Sequence, residues 1–300
     1  MNSFHTPVLL REAVKGLQVR KDGNYIDATI GGGGHTRSIL DLGGRVLGID
    51  QDEDAISHLK KKFEPEINQG RLVLKCGNFA EMKEIEGKHK IDGVDGIFFD
   101  LGVSSYQIER SGRGFSFMKD EVLDMRMSEK GDLTASEIIN TWPESDLVAI
   151  FAKYGEEPAA SEVARKIVFR RKQKKIGTSL ELAKIVSDVV RNSGKIPIRH
   201  TQGKHPATRI FQALRIVVND EIENLRKGLS EGFKLLKKGG RIAVISFHSL
   251  EDRVVKLYFL ELERKGLGKV ITKKPIEASF DEIKKNRRAR GAKLRIIESK

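Results

Sequence analysis

The chain has almost no cysteine. Cys76 is the only one in 300 residues, which excludes an intramolecular disulfide and any cysteine-rich zinc framework. It falls in an apolar, strand-like run, where a small buried residue is expected. Long hydrophobic runs are missing too: none approaches the roughly 18 residues that a membrane span needs. The first residues, Met1 to Pro7, lack the cationic and apolar segments of a secretory leader. A cytoplasmic protein with no membrane partner is expected.

What is abundant is charge. Charged residues make up 32% and hydrophobic residues 39%, a soluble globular balance, with a formal net charge of +13. Residues 1–104 carry a net −2, residues 105–205 a net +4 and residues 206–300 a net +11. The excess is gathered in the C-terminal third, as expected if one face meets a polyanion while another holds a neutral or cationic small molecule.

Short β-rich runs alternate with helical stretches over the first hundred residues. Strands are expected at 24–30, 45–50, 71–76 and 94–101, with a helix at 54–63 where Ala55, Ile56, Leu59 and Phe63 recur at helical spacing. The next hundred residues read as helices only, at 134–140, 144–153, 159–171 and 179–190. Alternation then resumes with one long amphipathic helix over 207–236, a Gly239-Gly240 turn, a strand at 241–246, a helix at 250–265 and a strand at 293–297. The expected architecture is an α/β, doubly wound core of residues 1–104 and 206–300, with an all-helical insertion of residues 105–205 after the fourth strand.

The first strand runs into Gly31-Gly32-Gly33-Gly34-His35. Glycine at such a junction lets the backbone turn tightly and approach a ligand. The second strand ends in Asp50, 19 positions after Gly31, where a carboxylate can accept both hydroxyls of an adenosine ribose. Asp52 and Asp54 are the more natural N-caps of the helix that follows. A dinucleotide fingerprint needs a third glycine three positions after the second. Thr36 and Arg37 occupy that position in the two possible frames, so a ligand with an amino-acid tail fits better. The third strand leads to Phe79 and the fourth ends in Asp100, so Asp27, Asp50, Phe79 and Asp100 are expected on one rim of a parallel sheet. Phe79 either covers an adenine face or belongs to the core. An NAD-dependent oxidoreductase and a non-catalytic RNA-binding module remain alternatives to a methyltransferase at this point.

Seven ordered blocks narrow the choice: His5 to Leu10, Gly31 to His35, Asp100 to Ser105, Arg113 to Met118, Leu123 to Met127, His205 to Arg209 and Ser246 to Arg253. Together they resemble the bacterial ribosomal RNA small subunit methyltransferase H family, from His5 to near the C-terminus. The resemblance implies a class I (Rossmann-like) S-adenosylmethionine-dependent methyltransferase core carrying a helical insertion for substrate recognition. It implies methylation of N4 of a cytidine in 16S ribosomal RNA near the P site of the decoding centre, with 16S ribosomal RNA or the small ribosomal subunit as partner. Gly33, Gly34 and His35 would hold the methionine part of the cofactor, Asp50 the ribose, and Phe79, Asp100 and Gln107 the rest of that pocket.

No metal is expected, because methyl transfer from a sulfonium needs none and His35 has no second histidine at ligand spacing. Aminomethyltransferases of DNA place an Asp/Asn-Pro-Pro-aromatic motif after the fourth strand, whereas Asp100-Leu101-Gly102-Val103 has neither proline. Asp100 or the neighbouring carbonyls are therefore expected to accept the N4 proton, with Ser104 positioning the base. His248 is expected to orient the base or a phosphate, while Glu251 and Asp252 either fix it or cap the helix that begins there. Arg165, Lys166, Arg170, Arg171, Lys172, Lys174 and Lys175 are candidate phosphate contacts, and the run Lys284 to Arg290 is either a solvated loop or a phosphate-contacting arm.

Overall fold

The computed structural model describes residues 7–88, 93–104, 107–108, 111–192 and 205–300. His5 and Thr6 lie outside the described residues. The chain divides into two compact units, residues 1–104 with 222–300, and residues 105–221.

The first unit is built on one sheet. Its strands are β1 (Asn24–Asp27), β2 (Arg45–Asp50), β3 (Leu72–Cys76), β4 (Val94–Asp100), β5 (Leu236–Ser246), β6 (Gly268–Val270), β7 (Ile276–Glu277) and β8 (Lys293–Ser299). The spatial order is β3-β2-β1-β4-β5-β8-β6, with β7 also on β8. The first five strands are mutually parallel, and β8 runs antiparallel to its neighbours. Successive residues feed opposite faces: Tyr25, Val46, Phe98 and Ala243 enter one apolar cluster, while Ile26, Leu47, Phe99 and Val244 enter the other. Both faces are covered, which is why adjacent residues such as Tyr25-Ile26, Val46-Leu47 and Phe98-Phe99 are apolar together rather than alternating with polar ones. The helices Leu10–Leu17, Gly34–Asp41 and Glu53–Lys62 supply the first cluster, and Leu225, Leu229, Val255 and Phe259 the second.

Strand order reverses between β1 and β4, the place where doubly wound sheets open a ligand crevice at the carboxyl ends of their strands. Cys76 ends β3, which forms an edge of the sheet, and it is exposed rather than buried as its apolar surroundings suggest. Strand β5 begins earlier than expected, at Leu236. Its pairing with β4 jumps from Val94 opposite Leu236 to Gly96 opposite Arg241, so the Gly239-Gly240 segment is an irregularity inside the strand.

The second unit is helical, with Ala135–Thr141, Glu144–Lys153, Ala160–Arg171, Ser179–Asn192 and Thr208–Val218 around a core that includes Leu123, Ile138, Phe151, Ile167, Val186, Ile210 and Leu214. The single helix expected over 207–236 is two. Asp220 sits at a φ of 47° between Thr208–Val218 and Glu221–Leu235, and the first of these buries its apolar face in the helical core. Residues 206–221 thus pack with the helical unit, outside the boundary drawn at 205.

The Leu123 to Met127 block holds this unit together. Arg126 binds the Asp124 carboxylate twice, at 2.9 and 2.7 Å, and Met125 takes a φ of 62°. The Asn219 side chain accepts from the Met127 amide at 2.7 Å and donates to the Met125 carbonyl at 2.8 Å, tying the block to the end of Thr208–Val218. Replacing Asn219 with Ala leaves both backbone groups without these bonds and should destabilise the helical unit by about 1–3 kcal/mol. Urea unfolding followed by circular dichroism checks this through a lower transition midpoint; an unchanged midpoint would show that the tie carries no stability.

Candidate active site

The turn after β1 is shaped by packing as much as by openness. Gly31 has a φ of 48°, and its amide donates to Oδ2 of Asp50 at 2.9 Å. A Cβ there would meet nothing nearer than the Thr29 carbonyl at 3.7 Å. Gly33 has a φ of 74°, and a Cβ on it would lie 2.6 Å from the Phe63 ring; on Gly34 a Cβ would lie 2.3 Å from Pro7. These two glycines let the loop sit down on the helix Glu53–Lys62 and the N-terminal segment. Lys62, on that helix, donates from Nζ to the Gly32 carbonyl at 2.7 Å, and its ammonium lies 5.2 Å from the Phe63 ring centre. No motif in the sequence announced that latch.

Asp50 is not the cap of the helix after β2. Asp52 is, accepting from the Asp54 amide at 3.1 Å, while Asp50 accepts from the Gly31 and Asp52 amides at 2.9 and 3.0 Å. Its carboxylate therefore braces the glycine loop, and each oxygen retains acceptor capacity for a ligand hydroxyl. Burial raises its pKa to about 6, against the pull of those backbone donors.

Asp27 ends β1 fully buried and accepts from the Thr36 hydroxyl at 2.6 Å and the Thr29 amide at 3.3 Å. Burial lifts it to about 6, with the Asp50 charge adding to the rise. The Thr29 hydroxyl in turn accepts from the Asp100 amide at 2.6 Å, joining the ends of β1 and β4. Asp100 is raised well above the ordinary carboxylate range, first by burial, then by the charges of Asp27 and Glu251. Its Oδ2 lies 3.7 Å from Nδ1 of His35, and its buried Oδ1 has no hydrogen-bond partner among the described residues.

His35 packs its ring against Phe98 at 4.3 Å, and Nε2 faces the Val8 carbonyl at 3.1 Å. A carbonyl only accepts, so Nε2 carries the proton and Nδ1 is the nitrogen turned toward Asp100. Phe79 stands edge-on to Phe99 at 5.6 Å and packs against Gly228, where any Cβ would clash with it. It is half-buried, part of the core and part of the rim.

His248 caps the helix Ser249–Arg264. Nδ1 accepts from the Glu251 amide at 3.3 Å, Glu251 answers by accepting from the Phe247 and His248 amides at 2.8 and 3.3 Å, and Nε2 lies 3.1 Å from the same carboxylate. The block Ser246 to Arg253 therefore contains a capping box whose acid also bears on Asp100. Asp252 turns away to a bidentate pair with Arg295 at 2.6 and 3.1 Å. Ser104 is half-buried four residues beyond β4. Gln107 is buried in the second unit, its carbonyl accepting from the Ser111 hydroxyl at 2.6 Å.

Asp27, Asp50, Asp100 and Glu251 thus crowd negative charge around the point where strand order reverses, beside a loop that can admit a ligand backbone. Such a crevice suits an adenosine-bearing ligand that also carries positive charge. S-adenosylmethionine meets that description: Asp50 retains acceptor capacity for ribose hydroxyls, and the unpartnered Asp100 oxygen and the mutually raised acids suit a neighbouring cation. The fold and site define a Rossmann-like, S-adenosylmethionine-dependent methyltransferase.

The chain belongs to the MraW methylase family, whose model matches residues 2–300. A protein from Carboxydothermus hydrogenoformans named ribosomal RNA small subunit methyltransferase H is 45% identical, the match covering 99% of this chain and 98% of that one. A protein of the same name from Oenococcus oeni is 44% identical, over 98% of each chain. The crystal structure of an rRNA methylase from Streptococcus thermophilus, covering 99% of each chain, superposes with a TM-score of 0.45 at 10% identity, too distant a likeness to bear on function.

The loop geometry predicts that Gly33→Ala, placing a Cβ against Phe63 at a positive φ, weakens S-adenosylmethionine binding by at least tenfold, or about 1.4 kcal/mol. Calorimetric titration measures it. Wild-type affinity in that variant would mean that the loop's seating on Phe63 is irrelevant to the cofactor.

Proposed function

We propose that this protein transfers the methyl group of S-adenosylmethionine to N4 of a cytidine in 16S ribosomal RNA, near the P site of the decoding centre. Family membership and two relatives named small-subunit rRNA methyltransferases, at 44% and 45% identity, support 16S rRNA methylation. The N4 position rests on the resemblance and on one observation in the site, the buried Oδ1 of Asp100, which has no hydrogen-bond partner among the described residues and whose carboxyl is raised above the ordinary range by burial. The work takes place in the cytoplasm, where ribosomal RNA is made and assembled in bacteria.

The bound cofactor supplies an electrophilic methyl on a positively charged sulfur. Asp50 accepts the ribose hydroxyls, and the loop Gly33-Gly34-His35 receives the methionine part. Phe79 lines the remainder. The crowding that raises Asp100 is relieved by a positive neighbour, which holds it as a carboxylate when cofactor is present. Asp100 then accepts a hydrogen bond from the exocyclic amine, whose lone pair is otherwise delocalised into the cytosine ring. S-adenosylmethionine would supply the methyl group, and Asp100 would take the proton that the amine loses as its nitrogen is methylated. The elevated pKa makes this aspartate a better base than an exposed one.

Ser104 positions the base. His248, fixed in its capping box, steadies Glu251 and so the field at Asp100. The helical unit recognises the RNA, whose target base must be unstacked to react, least costly where it is already single-stranded.

The test is nucleoside analysis of 16S rRNA incubated with protein and labelled S-adenosylmethionine. Label in N4-methylcytidine is the expected result, and label in any other nucleoside would contradict the assignment. Asp100→Asn, which keeps the shape but not the base, should lower the single-turnover rate by roughly 10²–10⁴. An undiminished rate would remove Asp100 as proton acceptor.

A further inference from the structure

Among the described residues, two aromatic side chains fall in the exposed class: Phe169 at 54% and Phe280 at 80%. Phe169 lies inside one of the chain's cationic segments, and Phe280 lies four residues before another, with Asp281 and Glu282 between. Residues 165–175 hold seven lysines and arginines and no acid, and residues 284–290 hold five and none.

Phe169 is on the helix Ala160–Arg171, and its neighbours one turn back, Arg165 and Lys166, are exposed on the same face. The Lys166 ammonium stands 5.6 Å from the Phe169 ring centre. Arg170, Lys172, Lys174 and Lys175 are exposed as well. Arg171 differs from them: it is half-buried and donates to the Ile139 carbonyl at 2.8 Å, which makes it structural and removes it from the phosphate contacts. Phe280 opens the helix Phe280–Lys285, with Lys284 one turn on and Arg287, Arg288 and Arg290 in the turn beyond. The nearby Glu282 is committed inward, accepting from the Leu9 amide at 2.7 Å.

An isolated exposed phenylalanine needs no explanation. One exposed aromatic inside a cation-rich segment and the other one helical turn before a second, while the other described aromatics are buried or half-buried, is the composition of a single-stranded nucleic-acid surface: cations follow the phosphates and aromatic faces receive bases. We infer that Phe169 and Phe280 are stacking platforms for unpaired bases of the RNA, one on each structural unit. This rests on the proposed rRNA substrate and adds the residues that hold it.

Anisotropy titration of a labelled single-stranded 16S fragment tests the inference. Phe169→Ala and Phe280→Ala should each weaken binding by roughly 5- to 100-fold and raise KM for RNA without changing kcat. The dependence of affinity on salt should stay as in the wild type, since no charge is lost, whereas Lys166→Gln should lower that slope. In a Trp142→Phe background, Phe169→Trp should bind RNA and lose tryptophan fluorescence as it does so. Wild-type affinity in both alanine variants, or binding without quenching in Phe169→Trp, would overturn the stacking assignment. Failure of the unsubstituted protein to bind any 16S fragment would instead overturn the proposed substrate, and this inference with it.

Discussion

The site depends on like charges held together out of water. Asp27, Asp50, Asp100 and Glu251 come from three strand ends and a helix start, and burial lifts the three aspartates above their ordinary range, with a neighbouring charge adding at each: Asp50 on Asp27, Asp52 on Asp50, and Asp27 and Glu251 on Asp100. A fold accepts such an arrangement only where something compensates it. Part of the compensation is local: the Thr36 hydroxyl and Thr29 amide on Asp27, and the Gly31 and Asp52 amides on Asp50. Among the described residues Asp100 has no comparable donor to its Oδ1, and that is where a cationic ligand has most to contribute.

The rest of the first unit serves that geometry. Parallel pairing of β1 with β2 and β4 brings the three aspartates to one end, and the order reversal at β1 and β4 leaves the crevice between them. The glycine loop is pressed onto Phe63 and latched by Lys62, so its backbone has a fixed shape before any ligand arrives. On the far side of the crevice the His248 and Glu251 capping box places an acid where its charge reaches Asp100. Helix capping and active-site electrostatics use the same side chain.

Local patterns carried much of this into view. Two-faced burial shows in the short apolar stretches Tyr25-Ile26, Val46-Leu47 and Ile97-Phe98-Phe99 of β1, β2 and β4, and the separation of Asp50 from the capping Asp52 followed from turn chemistry alone. Features set by tertiary contact were not legible. The break at Asp220 has no proline or glycine to mark it; it comes from Asn219 binding a distant loop and from the helix before it joining another core. Cys76 looks buried by composition, but β3 lies at the sheet edge. The Lys62 latch and the Thr29 link between β1 and β4 are long-range bonds between residues of ordinary types. Capping was expected of Glu251 or Asp252, and the structure shows His248 as the cap with Glu251 completing the box.

The central claim is that the acidic rim is matched to a positively charged methyl donor. Calorimetric titration near pH 6 in buffers of different ionisation enthalpy counts the protons exchanged on binding. A cation entering among carboxyls with raised pKa values lowers those values, so S-adenosylmethionine should release protons. S-adenosylhomocysteine, whose sulfur is neutral, should release fewer. Equal proton release by the two ligands, or none by either, would contradict the account.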